Sequence, residues 1–396
     1  MKREARDFRE SMPRPVRRIP LEEGSFRRRA VGTALALLAA GLALFMGIRS
    51  LTRVDAGWAE IEADSADGPT GEVRLWAELG AGSDSPLTER RFLTGLYSRT
   101  ARELYTLYTP YELVSGVRNL WWINHHPNEE ISVDRRLYQS LRRSAEAGRW
   151  IFLGPVYEIW DGVYFSENDA DARQGDPRLD KATGEALAEL MSLLRDENHI
   201  SLSFPGEEAV RLNVSEELLT LAEAYGVSRY LDFGWMLNAC LADGLADALT
   251  AQGWTRGVVA SPDGFVRCLD ARAPFTMNIL ATRGARTVQT AETEYQGPAA
   301  LIQLVPSPQG IRPQSYAYED GTLRTAWISP EDGLDHRPLD GLCVLSAEES
   351  CQALLLRVLP CLEMDSVSPE DLLSAVGEAE LLSLSREGET VLYGND

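Results

Sequence analysis

Histidine and carboxylate side chains are the first candidates for chemistry in this sequence. His125 and His126 are adjacent and carry two imidazoles, which are common metal ligands. Neighbouring side chains on a strand or loop point in different directions, and no third ligand stands at a useful spacing, so a loop or interface role is favoured over a metal site. Asp335 precedes His336 and makes a candidate acid–base pair, but a solvated turn is the favoured interpretation.

An acidic cluster surrounds Gly175 and invites comparison with a calcium site. Its members are Glu167, Asp169, Asp171 and Asp176. The spacing does not match the calcium-binding helix-loop-helix pattern, which needs ligands at alternating positions, a glycine and a closing glutamate. The cluster is therefore predicted to be a solvated insertion. The sequence also lacks a Gly-x-Ser-x-Gly elbow, a phosphate-binding glycine loop and a paired-cysteine zinc motif.

Residues 231–243 read Leu-Asp-Phe-Gly-Trp-Met-Leu-Asn-Ala-Cys-Leu-Ala-Asp. The ends of this string resemble the Asp-Leu-Gly-Gly-Ile-Ala-Lys-Gly-x-x-x-Asp signature of the FAD:protein FMN transferase (ApbE-like) family, in which a glycine turn and a lysine approach the dinucleotide. Trp235 stands in place of the second glycine and Asn238 in place of the lysine. The matching positions, which the resemblance assigns to cofactor binding, are Asp232, Gly234 and Asp243.

Other segments carry the same resemblance in the family's order. Residues 154–160 are similar to Gly-Pro-Leu-x-x-Leu-Trp, and residues 320–333 to a stretch that reads roughly Asp-Gly-x-x-Tyr-x-His-Ile-Ile-Asp-Pro-x-Thr-Gly. Ala326 replaces the histidine of that second stretch. One glycine remains at the turn 261–264, where the family has a pair that lets the backbone approach a flavin. The further positions assigned to cofactor binding are Gly154, Pro155, Gly264, Pro330 and Gly333.

The resemblance places the family's magnesium ligands on Gln352 and Leu356, where the family has an aspartate and a threonine. A hard divalent cation needs oxygen ligands, preferably a carboxylate, so neither residue is a good substitute. No metal ligand and no catalytic residue is therefore assigned. No cofactor is expected, and FAD and magnesium become cofactors only if the family's activity persists.

The N-terminal part of the chain carries a membrane-anchor signal. Residues 30–48 run for 19 positions without a charge, which is long enough to cross a hydrocarbon core of ~30 Å as a helix. Residues 1–29 hold 10 Lys or Arg and 5 Asp or Glu, so the positive-inside rule places this arm in the cytoplasm. A cleaved signal peptide is the competing interpretation, but the apolar run exceeds the usual signal core of roughly 7 to 15 residues.

The remainder of the chain is strongly acidic. Subtracting the arm's charges from the chain's 39 basic and 60 acidic residues leaves 29 basic and 55 acidic, a formal charge of −26. Such a domain repels nucleic acid, which is excluded as a partner. Residues 49–71 are predicted to be a stalk and residues 72–396 an extracytoplasmic domain. The five widely spaced cysteines are predicted to be buried free thiols.

The coarse secondary structure predicts an α+β fold, because helices and strands interleave irregularly. Helices are predicted at 133–148, 182–198 and 216–225, with a further helix to residue 251. A capping box at 346–349 predicts a helix through about residue 359. Strands are predicted at 200–204, 257–260, 265–269, 275–280, 300–305, 323–328, 342–345 and 390–393. The resemblance specifies this α+β fold as that of the flavin transferases, which is related to the T-fold.

The functional hypothesis combines the retained turns with the missing ligands. The sequence predicts a bacterial single-pass cell-membrane protein whose extracytoplasmic domain is a non-catalytic module, a pseudoenzyme that binds an envelope partner such as a flavoprotein or redox complex. One alternative is an active magnesium-dependent transferase that moves FMN from FAD to a threonine or serine of a flavoprotein. Another is a flavin or nucleotide sensor that binds without turnover.

Overall fold

The structure is a computed structural model that describes residues 54–64, 71–164, 169–270, 272, 274–284, 286–306, 315–377 and 379–394. The predicted basic arm and the apolar run 30–48 lie outside these ranges. Within the ranges, no helix has the length and apolarity that a bilayer crossing requires.

Fifteen strands occur in the described ranges. They are β1 (Gly57–Ile61), β2 (Arg74–Leu79), β3 (Glu130–Ser132), β4 (Ile200–Gly206), β5 (Ala209–Val214), β6 (Gly257–Ala260), β7 (Phe265–Cys268), β8 (Phe275–Arg283), β9 (Arg286–Tyr295), β10 (Ala299–Leu304), β11 (Ser315–Ala317), β12 (Leu323–Thr325), β13 (Gly341–Ser346), β14 (Leu381–Arg386) and β15 (Glu389–Gly394). Eight of them form an antiparallel sheet in the order β1-β2-β6-β7-β10-β13-β14-β15. A smaller sheet has the order β3-β5-β4, and β8–β9 and β11–β12 are hairpins.

Ten α-helices accompany these strands in the same ranges. They are α1 (Pro86–Tyr108), α2 (Leu120–His125), α3 (Arg135–Ala147), α4 (Gly154–Tyr164), α5 (Asp169–Gly175), α6 (Lys181–Leu194), α7 (Glu216–Tyr225), α8 (Leu237–Ala251), α9 (Cys351–Leu362) and α10 (Pro369–Val376). The predicted α+β class is confirmed.

The large sheet is buried on both faces at its centre. Successive side chains on a strand point to opposite faces, so Leu301 and Leu345 face the β8–β9 hairpin, where they pack with Ile279. Ile302 and Val344 face the other side, where α9 packs against β10. Helix α8 lies between α1, α9 and the sheet, which brings Asp243, in the middle of α8, to the start of α9. The five cysteines are buried and free, as predicted.

Local signals explain several helix ends. The Ser215 side chain accepts a hydrogen bond from Leu218 N and opens α7, and Gly226 closes that helix in the left-handed conformation that glycine favours. The predicted capping box at Ser346 is wrong. Ser346 ends strand β13, its Oγ accepts hydrogen bonds from the amides of the next turn, and α9 opens at the N-cap Ser350 instead.

The folded unit begins earlier than residue 72. Strand β1 lies within the predicted stalk 49–71, yet it pairs along its whole length with β2 and forms one edge of the large sheet. Ile61 on β1 is 1% exposed, so this strand contributes to the core.

Candidate functional site

The buried side-chain amide of Asn124 holds the backbone at the start of the string 231–243. The Asn124 side chain is 1% exposed, donates to the Leu231 carbonyl at 2.9 Å and accepts from the amides of Leu231 at 2.8 Å and Tyr230 at 3.2 Å. A buried amide that satisfies three backbone groups fixes the path of residues 230–231. Sequence reasoning missed Asn124, because its partners lie more than a hundred residues away in the chain.

The neighbouring histidines have local roles. His125 stacks on Trp121 with ring centroids 3.7 Å apart, and His126 stacks on Trp122 at 4.2 Å. Each imidazole Nδ1 contacts the carbonyl of the same tryptophan at 2.8 Å. The favoured interpretation of this pair, a loop or interface role, is refined to packing along the short helix α2.

Arg229 is the centre of a buried cluster of ion pairs beside the string 231–243. Arg229 donates to Asp232 at 2.9 Å and to Asp161 at 2.8 Å, and its Nε lies 3.9 Å from Glu158. The side chains of Arg229 and Asp232 are only 7% and 4% exposed. Burial raises the pKa of Asp232 to about 6, and Arg229 opposes part of that rise. Asp232, which the resemblance assigned to cofactor binding, is therefore used here by an internal ion pair.

Two glycines of the predicted site are required by close packing. A Cβ at Gly154 would lie 2.6 Å from the Arg229 carbonyl oxygen, at the start of α4, where Pro155 is also buried. Gly234 has a φ of +54°, and a Cβ there would lie 2.6 Å from the Tyr157 ring. Gly154, Asp232 and Gly234 therefore meet at one place, where α4 approaches the string 231–243.

Two tryptophans occupy this place. Trp235 stands at the position of the family's second glycine and Trp327 at that of an isoleucine, and their ring centroids are 6.1 Å apart with the planes tilted by 43°. Trp235 is 9% exposed and Trp327 is 3% exposed. Two large, buried aromatic rings therefore fill the space beside the turn at Gly234, where the family resemblance implied a second glycine.

Asn238, about one helical turn after Trp235, stands at the position of the family's lysine and carries a neutral amide. Asn238 Nδ2 donates to Asp263 Oδ2 at 2.8 Å. Burial raises the pKa of the Asp263 carboxyl to about 6, hydrogen bonds from Ser261 and Asn238 oppose the rise, and Glu72 adds to it. Gly264 follows with a φ of +98°, and a Cβ there would lie 2.0 Å from the Gln303 carbonyl oxygen. Gly264 is therefore needed because β10 packs directly against it. The carboxylates of Asp263 and Glu72 make the surroundings of Asn238 negatively charged.

We expect Asp263→Asn to stabilise the protein at neutral pH. The unfolded carboxyl titrates near 3.8 and the folded one near 6, so the folded state binds the proton more tightly and stability falls as pH rises through this window. Asparagine removes that penalty and still accepts from Asn238. Chemical denaturation should show a gain of about 3 kcal/mol at pH 7.5 that disappears below pH 4.

Asp371→Asn is the control, because its expected change in stability at pH 7.5 has the opposite sign. Hydrogen bonds from Ser368 hold the pKa of Asp371 below its usual value, so its contribution is present at neutral pH and is lost as pH falls. That variant should be less stable than the parent at pH 7.5. Equal pH profiles for Asp263→Asn and the parent would refute the assignment of a raised pKa to Asp263.

Asp243 connects α8 to the start of α9. Its two carboxylate oxygens accept from the amides of Cys351 and Gln352, each at 2.9 Å, and Oδ1 also accepts from Arg267 Nη1 at 2.7 Å. A carboxylate at a helix N-terminus satisfies amides that have no partner within the helix. Asp243 therefore positions α9, which carries Gln352 at the place of the family's magnesium-binding aspartate.

Gln352 belongs to a buried polar network. Its Oε1 accepts from Ser140 Oγ at 3.3 Å, and its Nε2 lies 3.4 Å from the Ser140 carbonyl and 3.5 Å from Ser144 Oγ. Ser140 Oγ also lies 2.8 Å from the Tyr108 hydroxyl. The amide therefore joins α9 to α3, in a place where a magnesium ligand would need a carboxylate oxygen.

The last predicted site residues lie on a loop that packs on α6. Pro330 is buried, and Gly333 has a φ of +72° with a virtual Cβ 2.8 Å from the Met191 side chain. Asp335 lies at the end of this loop, and its Oδ1 accepts a hydrogen bond from Arg178 Nε at 2.8 Å. Its side chain is largely buried, so the interpretation as a solvated turn does not hold for Asp335.

The acidic cluster is also not wholly solvated. Asp176 is fully buried and accepts from Arg324 Nε at 2.9 Å and from the Tyr318 hydroxyl at 2.8 Å. Arg173 pairs with Asp320 at 2.5 Å. Residues 173–178 therefore bind the β11–β12 hairpin through ion pairs. Glu167 lies outside the described residues. Within the described ranges, no group of three His, Cys, Asp or Glu side chains is arranged to hold a metal ion.

The fold has clear relatives among solved structures. Flavin Transferase ApbE from Vibrio cholerae matches with a TM-score of 0.56 and 15% identity over 86% of this chain and 97% of that one. This chain has the ApbE fold. The apbe protein from Thermotoga maritima matches with a TM-score of 0.56 and 14% identity over 85% and 96%. The flavinyl transferase ApbE from Pseudomonas stutzeri, in its apo form, gives 0.51 and 12% over 86% and 94%.

The resemblance drawn from the sequence is confirmed at the level of the fold. No protein-family model matches the sequence. No curated protein matches it either. At 12–15% identity the ApbE-like architecture is retained, and a shared fold does not by itself determine the activity.

Proposed function

We propose that this protein is a non-catalytic ApbE-like module that acts by binding a partner, and that it does not transfer FMN. The observation that supports this most directly is the buried amide of Gln352, which is committed to Ser140 and Ser144 at the position of a magnesium carboxylate. An amide can offer one carbonyl oxygen to a cation, but here that oxygen accepts a hydrogen bond from a serine.

The implied substrate and metal do not fit the residues present. Transfer of a phosphoryl-linked group depends on positive charge and positioned donors near the pyrophosphate. At the lysine position this chain has Asn238, which donates to the carboxylate of Asp263, with Glu72 close enough to raise the pKa of that carboxyl. A pyrophosphate would meet negative charge there, and Leu356 offers no oxygen to a metal.

The remaining parts of the proposal rest on the sequence. The apolar run 30–48 and the basic arm support a single-pass anchor with the acidic domain outside the cytoplasm. An envelope protein, such as a flavoprotein or a redox complex, is the partner that suits this location. The strong net negative charge disfavours nucleic acid.

An assay for covalent flavin transfer tests the proposal that the protein is not catalytic. The full chain in detergent, incubated with FAD, magnesium and a flavoprotein acceptor, should leave the acceptor without covalent flavin, measured as in-gel flavin fluorescence. Each missing charge-stabilising group costs about 10²- to 10³-fold in rate, so the combined loss should bring the signal to background.

An active flavin transferase run on the same acceptor is the positive control, since it shows that the acceptor is competent. Fluorescent acceptor produced by this chain, dependent on both FAD and magnesium, would refute the proposal. That outcome would favour an active transferase with relocated ligands.

A further inference from the structure

Strand β15 forms one outer edge of the large sheet and is exposed on both of its faces. It pairs with β14 along all 6 of its residues, and among the described residues no strand lies on its other side. Val391 and Leu392 are consecutive, so their side chains point to opposite faces of the sheet. They are 42% and 46% exposed. The edge therefore presents main-chain N–H and C=O groups together with two uncovered apolar side chains.

The other edge strands of the two larger sheets carry features that discourage pairing with a further strand. Strand β1 exposes the charged side chain of Glu60, β3 has only 3 residues, and β4 contains Pro205 and a break in its register with β5. Charges, prolines, bulges and short length are the means by which sheet edges avoid pairing. Strand β15 has a regular register, and its one charged residue is Glu389 at its start. It is therefore the edge best suited to accept a strand.

Both ends of β15 are negatively charged. Glu389 begins the strand, and Glu387, whose side chain is 84% exposed, lies in the turn before it. At the other end, the backbone of Glu380 lies against Gly394. Arg386 is 3.7 Å from Glu387 and offsets one of these three carboxylates. Opposite charges across a strand pair are stabilising, so a strand that pairs here is favoured by positive charge at its ends.

A second copy of this chain is a poor occupant of this edge. Antiparallel pairing of two β15 strands would bring the Glu389 end of one strand to the Gly394 end of the other, where Glu380 also lies. Like charges that face each other across a strand pair are destabilising. Each copy also has a formal charge of −26 beyond residue 29, so the two domains repel each other. The charges therefore favour a strand from a different protein.

We propose that the outer edge of β15 binds an extended segment of a partner protein, with Lys or Arg at the ends of the segment and apolar side chains between them. Main-chain hydrogen bonds hold such a segment as an added strand, and contacts with Val391 and Leu392 select its apolar residues. The inference rests on the proposed function in that the protein acts by binding a partner. It adds the binding surface and the chemistry of that partner.

The probe is a fluorescein-labelled peptide of sequence Lys-Val-Thr-Val-Thr-Val-Lys, titrated against the full chain in detergent and followed by fluorescence anisotropy. A second peptide has glutamate in place of both lysines and tests the role of charge. A third is N-methylated at every valine and threonine, which removes the main-chain donors and keeps the side chains. We expect the second and third peptides to bind at least about ten-fold more weakly than the first, because each lacks one of the two proposed interactions.

Variants of the two edges of the large sheet locate the binding site. Val391→Lys places a positive charge on the exposed edge strand and should weaken binding of the lysine peptide about ten-fold. Trp58→Lys is the matched control, because Trp58 is 54% exposed on β1 at the opposite edge of the same sheet, and it should bind like the parent. Hydrogen exchange of the amides in 389–394 should slow when the peptide binds, while exchange in 57–61 stays unchanged. Near-ultraviolet circular dichroism checks that each variant is folded.

The outcomes distinguish this inference from the proposed function. Absence of binding by the lysine peptide at about 1 mM would overturn the inference, and so would equal weakening in Val391→Lys and Trp58→Lys. Equal binding of the glutamate or the N-methylated peptide would also overturn it, because charge or main-chain pairing would then play no part. Covalent flavin on an acceptor would refute the proposed function alone, since peptide binding at β15 is measured without flavin.

Discussion

Asp243→Ala is expected to lower the free energy of unfolding by about 3–5 kcal/mol. The carboxylate accepts from two amides at the start of α9 and pairs with Arg267, whose side chain is only 20% exposed. Alanine leaves that guanidinium without its hydrogen-bonded carboxylate, so that Asp247 is its nearby negative charge, and leaves two helix amides without an acceptor. The loss exceeds that of an ordinary N-cap substitution, which costs about 1 kcal/mol, because a buried charge is also uncovered.

Urea unfolding followed by circular dichroism measures this effect. Asp243→Asn keeps an acceptor for one amide and should fall between the parent and the alanine variant. Glu146→Ala removes a carboxylate from an exposed ion pair with Arg142 and should unfold like the parent. A loss below 1 kcal/mol in Asp243→Ala would mean that this aspartate does not hold α9 in place.

The sequence predicted elements best where local signals were sufficient. Helix α7 was predicted with its observed ends, because a serine cap and a closing glycine bound a regular apolar pattern. Helix α1 was missed, although it is the longest in the described ranges at 23 residues. Its apolar pattern is interrupted by threonines and Gly95, and only the Ser85–Pro86 start was a usable signal. Strand β1 was missed because its outward side chains are polar or exposed, and only pairing with β2 defines it.

The candidate site divides in the same way. Gly234, Gly264 and Gly333 were predicted as site positions from the family resemblance, and the structure gives each of them a positive φ, which glycine adopts easily. The roles of Asn124 and Arg229 were not found, since their partners are brought together only by the tertiary fold. Asp232 illustrates the limit: its position was predicted from the motif, but its ion pair with Arg229 depends on how α4 packs.

Arg229→Met is expected to cost about 3–5 kcal/mol at pH 7.5. Arg229 makes two charged hydrogen bonds, to Asp232 and Asp161, and its guanidinium lies 4.9 Å from the centre of the Tyr111 ring. Methionine fills much of the same space without charge. Asp232, whose side chain is 4% exposed, then has no counter-ion in its buried position. Differential scanning calorimetry and urea unfolding at fixed pH measure the loss.

The pH dependence identifies the cause of that loss. In the parent, burial already raises the pKa of Asp232 to about 6 despite Arg229, so its unfavourable contribution is absent below the unfolded pKa and complete above about pH 6. Without the arginine the folded pKa rises further, so the stability of Arg229→Met should fall with pH over a wider window that extends above 6. Adding Asp232→Asn removes the buried charge and should recover most of the stability, whereas a purely steric defect would persist in the double variant. If the single and double variants are equally unstable at every pH from 4 to 8, an uncompensated Asp232 carboxylate is not the cause.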